Sequence, residues 1–346
     1  MIERPGLRRA VLVALPFVVA TVLGAPLSAS ASTTTSTSIT TATSTTAASP
    51  SAVASALAPT TVASPGCLRE RATPPVARGT TANVTLTSRT VHGNYSLSVP
   101  ASYLPKHPTP LIVLFYGDGD NPADFSAKTN FPAQGAAAGD LVAVPQNQGP
   151  QVGFQYSPTG TDAAFVSAAI SSLERTYCVN ERAIFTTGFS SGAAFSILYA
   201  CAHQRQIRAI ASVSVDYQLG CTRPEPILAF HGTADPAVTY QPNTIASQLP
   251  GIRLDATSVK GTLANMADWV ALDRCTQNAT STRIGSQVVR RQWRACAPGT
   301  SVTFYTVLGG GHEWPGAKVT TGVGLTTQQI SANTVILAFF NSLATA

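Results

Sequence analysis

One stretch constrains this chain more than any other: Arg182-Ala183-Ile184-Phe185-Thr186-Thr187-Gly188-Phe189-Ser190-Ser191-Gly192-Ala193-Ala194-Phe195. A run with β-branched and aromatic residues ends in Gly-Phe-Ser-Ser-Gly, and an Ala-rich segment of helical character follows over residues 193–202. Strand, sharp turn and helix in that order are the context a nucleophile elbow needs. The turn drives the serine backbone toward strained dihedrals, and the flanking glycines leave room because they carry no Cβ. Such a turn lifts the Ser190 hydroxyl above the sheet edge. It also aims the amide of Ser191, at the start of the helix, into the same space, where unpaired N–H groups favour developing negative charge. Gly-x-Ser-x-Gly alone is a weak signal in a chain rich in Ala, Ser and Gly. The strand before it and the helix after it strengthen it.

The surrounding pattern alternates strands with helices. Residues 84–87 and 95–99 alternate in polarity around His92-Gly93-Asn94, which predicts an antiparallel hairpin with its turn there. Residues 111–116, Leu-Ile-Val-Leu-Phe-Tyr, form a continuous apolar run, as a strand buried on both faces of a parallel sheet requires. A helix over 123–138, broken near Pro132, and a buried strand over 141–144 follow. A second helix over 162–177 places Phe165, Ala169, Leu173 and Tyr177 near helical spacing. After the elbow come strands over 207–215 and 227–231, a helix over 262–274, a strand over 301–307 and a last helix over 327–343. The expectation is one α/β domain with a mainly parallel central sheet, flanking helices and an antiparallel N-terminal hairpin.

A serine hydroxyl is a poor nucleophile until a base takes its proton. Of five histidines, His92 falls in the expected hairpin turn, His107 between Lys106 and Pro108, and His203 near a helix end. All three read as solvated polar residues. His231 ends a strand, and its expected role is local, holding the loop that leads to Asp235. His312 follows the last strand in a Gly-rich loop where a base can approach the elbow, so it is the candidate base. A carboxylate must then hold the imidazole tautomer and stabilise imidazolium. Asp235, beyond the strand 227–231, is the candidate; it also reads as a turn residue before Pro236. Asp216, Asp255 and Glu225 are alternatives. The order Ser190, Asp235, His312 is the chain order of α/β-hydrolases. Two amides are needed for an oxyanion hole. Ser191 offers one, and Gly117 or Asp118, after the strand 111–116, the other. Asp118 and Asp120 would oppose an oxyanion if their carboxylates pointed inward, so they are expected to face solvent.

Residues 1–31 read as a signal peptide: Arg4, Arg8 and Arg9, an apolar run over 11–23, then Ala29-Ser30-Ala31. That run is short for a membrane span, and no membrane association is expected after cleavage. Residues 32–66, dominated by Ser, Thr and Ala, read as a disordered linker. The folded domain is expected over 67–346. Six cysteines, Cys67, Cys178, Cys201, Cys221, Cys275 and Cys296, all follow the leader, and an even number in an exported chain reads as three disulfides of open connectivity. A formal net charge of +6 with only 11% charged residues, scattered, argues against a nucleic-acid partner.

Together, the Gly-Phe-Ser-Ser-Gly elbow, His231-Gly232-Thr233-Ala234-Asp235 and Gly310-Gly311-His312-Glu313-Trp314-Pro315-Gly316 resemble the secreted esterases grouped as feruloyl esterases and polyhydroxybutyrate depolymerases. Asp162-Ala163-Ala164-Phe165-Val166, Tyr177-Cys178-Val179-Asn180 and Ser64-Pro65-Gly66-Cys67 share the likeness, which runs from about Cys67 onward. The resemblance implies an α/β-hydrolase fold and ester hydrolysis through an acyl-enzyme, with Ser190, Asp235 and His312 as the triad and no metal or cofactor. It also implies a Cys67–Cys178 disulfide, after which Cys201–Cys221 and Cys275–Cys296 follow by proximity. Two segments depart from the family. Tyr116-Gly117-Asp118-Gly119-Asp120 stands where His-Gly-x-Gly-Gly is usual, and Gly192-Ala193 where Gly-Gly is usual. The implied substrate is a feruloyl or other cinnamoyl ester of plant-wall polysaccharide; the alternatives are poly(3-hydroxybutyrate) or a related polyester, and a catalytically silent secreted binding protein on the same fold. Trp269, Trp293 and Trp314 read as core residues or as the lining of an aromatic acyl pocket.

Overall fold

The computed structural model describes residues 61–69, 74–88, 90–149, 152–242 and 260–345, all within the compact unit Ala56–Ala346. The leader, most of the Ser/Thr/Ala-rich stretch and Asp255 lie outside the described residues.

A ten-stranded sheet runs in the order β1-β2-β4-β3-β5-β6-β7-β10-β9-β8. Its middle is parallel: β4 (Leu141–Pro145), β3 (Thr109–Phe115), β5 (Val179–Phe189), β6 (Ala209–Val213), β7 (Ile227–Gly232) and β10 (Val302–Val307). These strands are apolar on both faces and almost wholly buried, which parallel strands covered by helices require. The antiparallel N-terminal hairpin is β1 (Thr81–Thr87) with β2 (His92–Ser98). Its turn lies earlier than predicted. Thr87 pairs with His92, and Ser88 N–H donates to the Val91 carbonyl, so His92-Gly93-Asn94 is strand rather than turn. Gly93 is there for contact: a Cβ would fall 2.3 Å from Gln148 Oε1 and 2.7 Å from the Phe165 ring. A second antiparallel hairpin, β8 (Thr280–Ile284) with β9 (Val288–Trp293), closes the far edge and was not anticipated. Its β8 residues are nearly all exposed, so no apolar alternation marks them.

The helix expected over 123–138 is two: α1 (Pro122–Thr129) and α2 (Phe131–Ala138), separated by Asn130 at φ 54°. The break falls just before Pro132, which sits in the first turn of α2, where its missing N–H costs nothing. α3 (Thr161–Thr176), α4 (Ser191–Ala202) and α5 (Thr262–Leu272) form near their expected places. α6 (Ala332–Ala344) starts later than predicted, capped by the Ser331 hydroxyl accepting the Thr334 N–H. Its Phe340 ring stacks on Phe185 of β5 at 4.5 Å.

Disulfides join Cys67–Cys178, Cys201–Cys221 and Cys275–Cys296. The packed chain begins before Cys67. Ser64 is buried, its hydroxyl donates to the Tyr177 carbonyl and accepts from Val179 N–H, and Glu181 N–H donates to Val62. The stretch expected as linker up to residue 66 therefore ends sooner.

Candidate active site

β5 delivers Ser190 at the carboxyl edge of the sheet, and α4 leaves from it. Ser190 takes φ 54° and ψ −125°, a left-handed conformation that a non-glycine residue adopts only when its surroundings compel it. The compulsion comes from two close approaches. A Cβ on Gly188 would lie 2.5 Å from the Gly192 carbonyl oxygen, and one on Gly192 would lie 2.2 Å from that of Tyr116. Strand, helix and the β3 exit thus pack at backbone-to-backbone range, and neither glycine has a tolerable replacement. Ser190 is half-buried, whereas Ser191 is fully buried. As the first residue of α4, Ser191 has no carbonyl one turn back to receive its amide proton.

The loop after β3 presses on the same point. A Cβ on Gly117 would sit 3.2 Å from Ser190 Cβ and 3.1 Å from the Phe189 ring. The two acidic side chains of this loop lie close to the site, and only Asp118 faces solvent as expected. Asp118 is exposed, and its carboxylate packs over Gly153, where an added Cβ would fall 1.9 Å from Oδ1. Asp120 is paired with Lys128 at 2.5 Å. Gly119 N–H donates to the Val152 carbonyl at 3.2 Å, fastening the loop to the segment before Phe154. Tyr156, which no sequence pattern singled out, follows two residues after Phe154. Its hydroxyl is buried and faces Ser191 Oγ, short of hydrogen-bond geometry. Burial, with the charge of Asp118 behind it, pushes the Tyr156 phenol above its ordinary value.

The candidate acid and the candidate base follow adjacent strands, β7 and β10. His312 Nδ1 lies 2.8 Å from Asp235 Oδ2, and both residues are buried. Asp235 Oδ1 accepts the amides of Ala237 and Val238 at 2.9 and 2.8 Å. The turn role and the catalytic role expected of this residue therefore use different oxygens. Burial would raise the Asp235 carboxyl, but hydrogen bonds and charge from His231 and His312 outweigh it and hold it below the usual carboxylate range. The His312 loop is held by a two-way bridge with Val323, at 2.8 and 3.1 Å. Glycine is required on both sides of it: a Cβ on Gly311 would lie 2.3 Å from the Val323 oxygen, and one on Gly322 2.0 Å from that of His312. The Phe189 ring packs on the imidazole at 4.8 Å, so the residue preceding Ser190 seats the base. Among the described residues neither Ser190 Oγ nor His312 Nε2 makes a hydrogen bond, leaving both open to a substrate.

The remaining candidates sort readily. Asp216 bonds His231 and not His312. Glu225 lies beyond the opposite end of β7, beside Asp273. His92 is exposed against Thr87, His107 is exposed, and His203 is not simply solvated: its ring stacks on Tyr199 at 4.2 Å. Trp314 and Trp269 are core residues. Trp314 is wedged against Phe125 and Phe131 and donates to Asn333, and Trp269 donates to the Asp216 carbonyl. Trp293 is half-buried on β9. Val152, whose carbonyl accepts from Gly119, and Val323 and Leu325, whose carbonyls accept from His312 and Gly311, are exposed apolar residues on the segments bonded to the two loops.

No family model matches the chain. It is similar to feruloyl esterase C of Emericella nidulans, at 30% identity over 151 residues, which are 42% of this chain and 55% of that protein. Feruloyl esterase B of Piromyces equi is 28% identical over 177 residues, 48% of this chain and 32% of that one. The protein NocK of Nocardia uniformis subsp. tsuyamanensis, named as an esterase, is 27% identical over 304 residues, 79% of this chain and 88% of its own. The chain spans about half the length of the curated feruloyl esterase C relatives it matches. Among solved structures, acetyl xylan esterase from Aspergillus awamori superposes with a TM-score of 0.52 at 12% identity, over 68% of this chain and 94% of that one. The fold is that of the α/β-hydrolases, and the resemblance carried by the motifs extends to relatives named as feruloyl esterases.

Proposed function

We propose that the protein is a secreted serine carboxylesterase, with Ser190 as nucleophile, His312 as general base and Asp235 as the carboxylate behind it. One observation carries the reading. The Asp235–His312 pair, at 2.8 Å, is seated by the Phe189 ring beside a strand-to-helix turn whose serine sits at φ 54°. His312 Nε2 takes the Ser190 proton as Oγ attacks the ester carbonyl, and Asp235 stabilises the imidazolium that forms. The tetrahedral oxyanion receives the Ser191 amide and an amide of the loop at Gly117 or Asp118. As the intermediate collapses, imidazolium returns its proton to the leaving alcohol. Water then repeats the sequence on the acyl-enzyme and frees the acid.

The favoured substrate is an aromatic acyl ester of the feruloyl type on plant-wall polysaccharide. Exposed apolar Val152, Val323 and Leu325, on the segments bonded to the Gly117–Asp120 and His312 loops, would suit a partly apolar acyl group, and the feruloyl esterase relatives support the same class. Secretion follows from the leader and is supported by three disulfides, which persist in oxidising compartments. The proposed organisation is a leader over 1–31, a Ser/Thr-rich spacer, and a catalytic domain that begins near Val62.

Ser190→Ala should lower turnover of p-nitrophenyl acetate by at least about 10⁴-fold and abolish fluorophosphonate labelling. Unchanged turnover, or labelling of another residue, overturns the assignment. Methyl ferulate compared with a polyhydroxybutyrate film ranks the substrates; faster release from the film would favour the polyester.

A further inference from the structure

His231 is fully enclosed, and each of its ring nitrogens faces groups that accept protons. Nδ1 lies 2.7 Å from Asp216 Oδ2, with Thr262 Oγ1 at 3.0 Å. Nε2 lies 2.8 Å from the Val238 carbonyl oxygen and 3.4 Å from Asp235 Oδ2. A carbonyl can only accept, so Nε2 must carry a proton. With Asp216 ionised, its Oδ2 can only accept as well, and Nδ1 then carries a proton too. On its other side Asp216 Oδ1 accepts the Asn265 amide at 2.7 Å, and Trp269 Nε1 donates to the Asp216 backbone carbonyl.

The geometry points to His231 as an imidazolium, a positioning residue that holds Asp235 ionised from behind and so sets the charge that His312 faces. Three groups then alternate in charge behind His312: Asp216 negative, His231 positive, Asp235 negative. The burial of His231 favours its neutral form, but Asp216 and then Asp235 outweigh that and raise it to about 10. The other polar groups facing the ring are Thr262 and Asn265 of α5 and Tyr240, whose ring meets it edge-on at 5.7 Å. Tyr240 bonds Thr306 Oγ1, which also accepts Arg291, so that guanidinium is the next positive charge outward, on β9. Tyr217 lies within the field of both carboxylates, which, after burial, push its phenol up. The tuning of His312 rests on the proposed triad; the charge of His231 does not.

Removing the positive charge strengthens the negative field behind His312, so His231→Gln should shift the acidic limb of kcat/KM for p-nitrophenyl acetate up by about one pH unit. Loss of packing alone would lower activity without that shift, and an unchanged or lowered limb overturns the proposal. Asp216→Asn removes the carboxylate that does most to raise His231, so in that variant the doubly protonated ring should be lost near neutral pH. If either variant fails to fold, the wild-type protein decides. With ¹⁵N-labelled histidine, long-range ¹H–¹⁵N spectra should show one ring protonated on both nitrogens well above pH 7, and five neutral rings there would overturn the assignment. That readout needs no turnover, so it stands apart from the Ser190→Ala test of the triad itself.

Discussion

β7 has a buried carboxylate beyond each of its ends, and the two sites behave in opposite ways. At the amino end, Glu225 N–H donates to Asp273 Oδ1 at 2.7 Å, while Glu225 Oε1 and Asp273 Oδ2 meet no hydrogen-bond partner. Burial pushes the Glu225 carboxyl up to about 8 and that of Asp273 up to about 7. At the carboxyl end, Asp235 is buried to a similar degree, 4% exposed against 3% for Glu225, yet it is held below the usual range. Depth is therefore not what separates them. Asp235 has two amides on one oxygen and two imidazoles on the other. Glu225 has one glutamine amide, the charges of Arg208 and Arg223, and a second carboxyl beside it, and burial outweighs them. Enclosure with few donors makes a stored acid; enclosure with several direct donors makes a fixed anion, which is what a histidine base requires behind it.

Exchanging acid for amide at each end is the sharpest way to break this contrast. Asp235→Asn, with the geometry kept, should lower kcat on p-nitrophenyl acetate by on the order of 10⁴-fold, because the amide no longer fixes the His312 tautomer. Glu225→Gln should leave kcat unchanged. An equal fall in both would erase the distinction. Titration separates the ends next. Glu225 and Asp273 are raised in the folded state, so the stability they contribute is complete below their unfolded values and is lost as pH rises through about 7 and 8. Asp235 is lowered, so its contribution is present above its unfolded value and is lost as pH falls through the folded one. Calorimetric Tm should thus decline from about pH 5 to about pH 9, and Glu225→Gln should flatten that decline by at most about 1.4 kcal/mol per pH unit. An unaltered slope would mean that Glu225 is ionised when folded. The smallest effect is expected from Gln204→Leu. Gln204 Nε2 donates to Glu225 Oε2 at 3.2 Å and to the Arg223 carbonyl at 2.8 Å. Its loss should cost about 1–2 kcal/mol in urea unfolding and extend the protonated range of Glu225 to higher pH, since that hydrogen bond pulls the carboxyl down.

What could be read in advance follows chemistry more than packing. The proposed triad, Ser190, Asp235 and His312, stands in short segments whose glycines and order suggest a turn and a base, and the buried strands β3, β5 and β7 announce themselves as apolar runs. The hairpin β8–β9 left no such trace because an edge strand with exposed faces has no need of apolar residues. Gly93 misled in the opposite sense, since a glycine demanded by Gln148 and Phe165 looks the same in sequence as one demanded by a turn. The charge of His231 was illegible for a related reason. It depends on Asp216 and Val238, which the chain brings together only by folding β6 beside β7. Tyr156 carried no signal at all, being a lone aromatic in a loop.

The Cys67–Cys178 disulfide bears on time rather than on shape. It closes a separation of 111 residues, whereas the other two close 20 and 21. The short loops can lock as soon as each local segment exists, but Cys67 must wait with its thiol exposed until β1 to β4 and α3 have been made. Closing so long a loop removes about 4–5 kcal/mol of chain entropy from the unfolded state. An oxidant supplied too early would therefore trap Cys67 with a wrong partner, and the yield of active protein should depend on an isomerase more strongly than that of a variant lacking only the Cys201–Cys221 bridge.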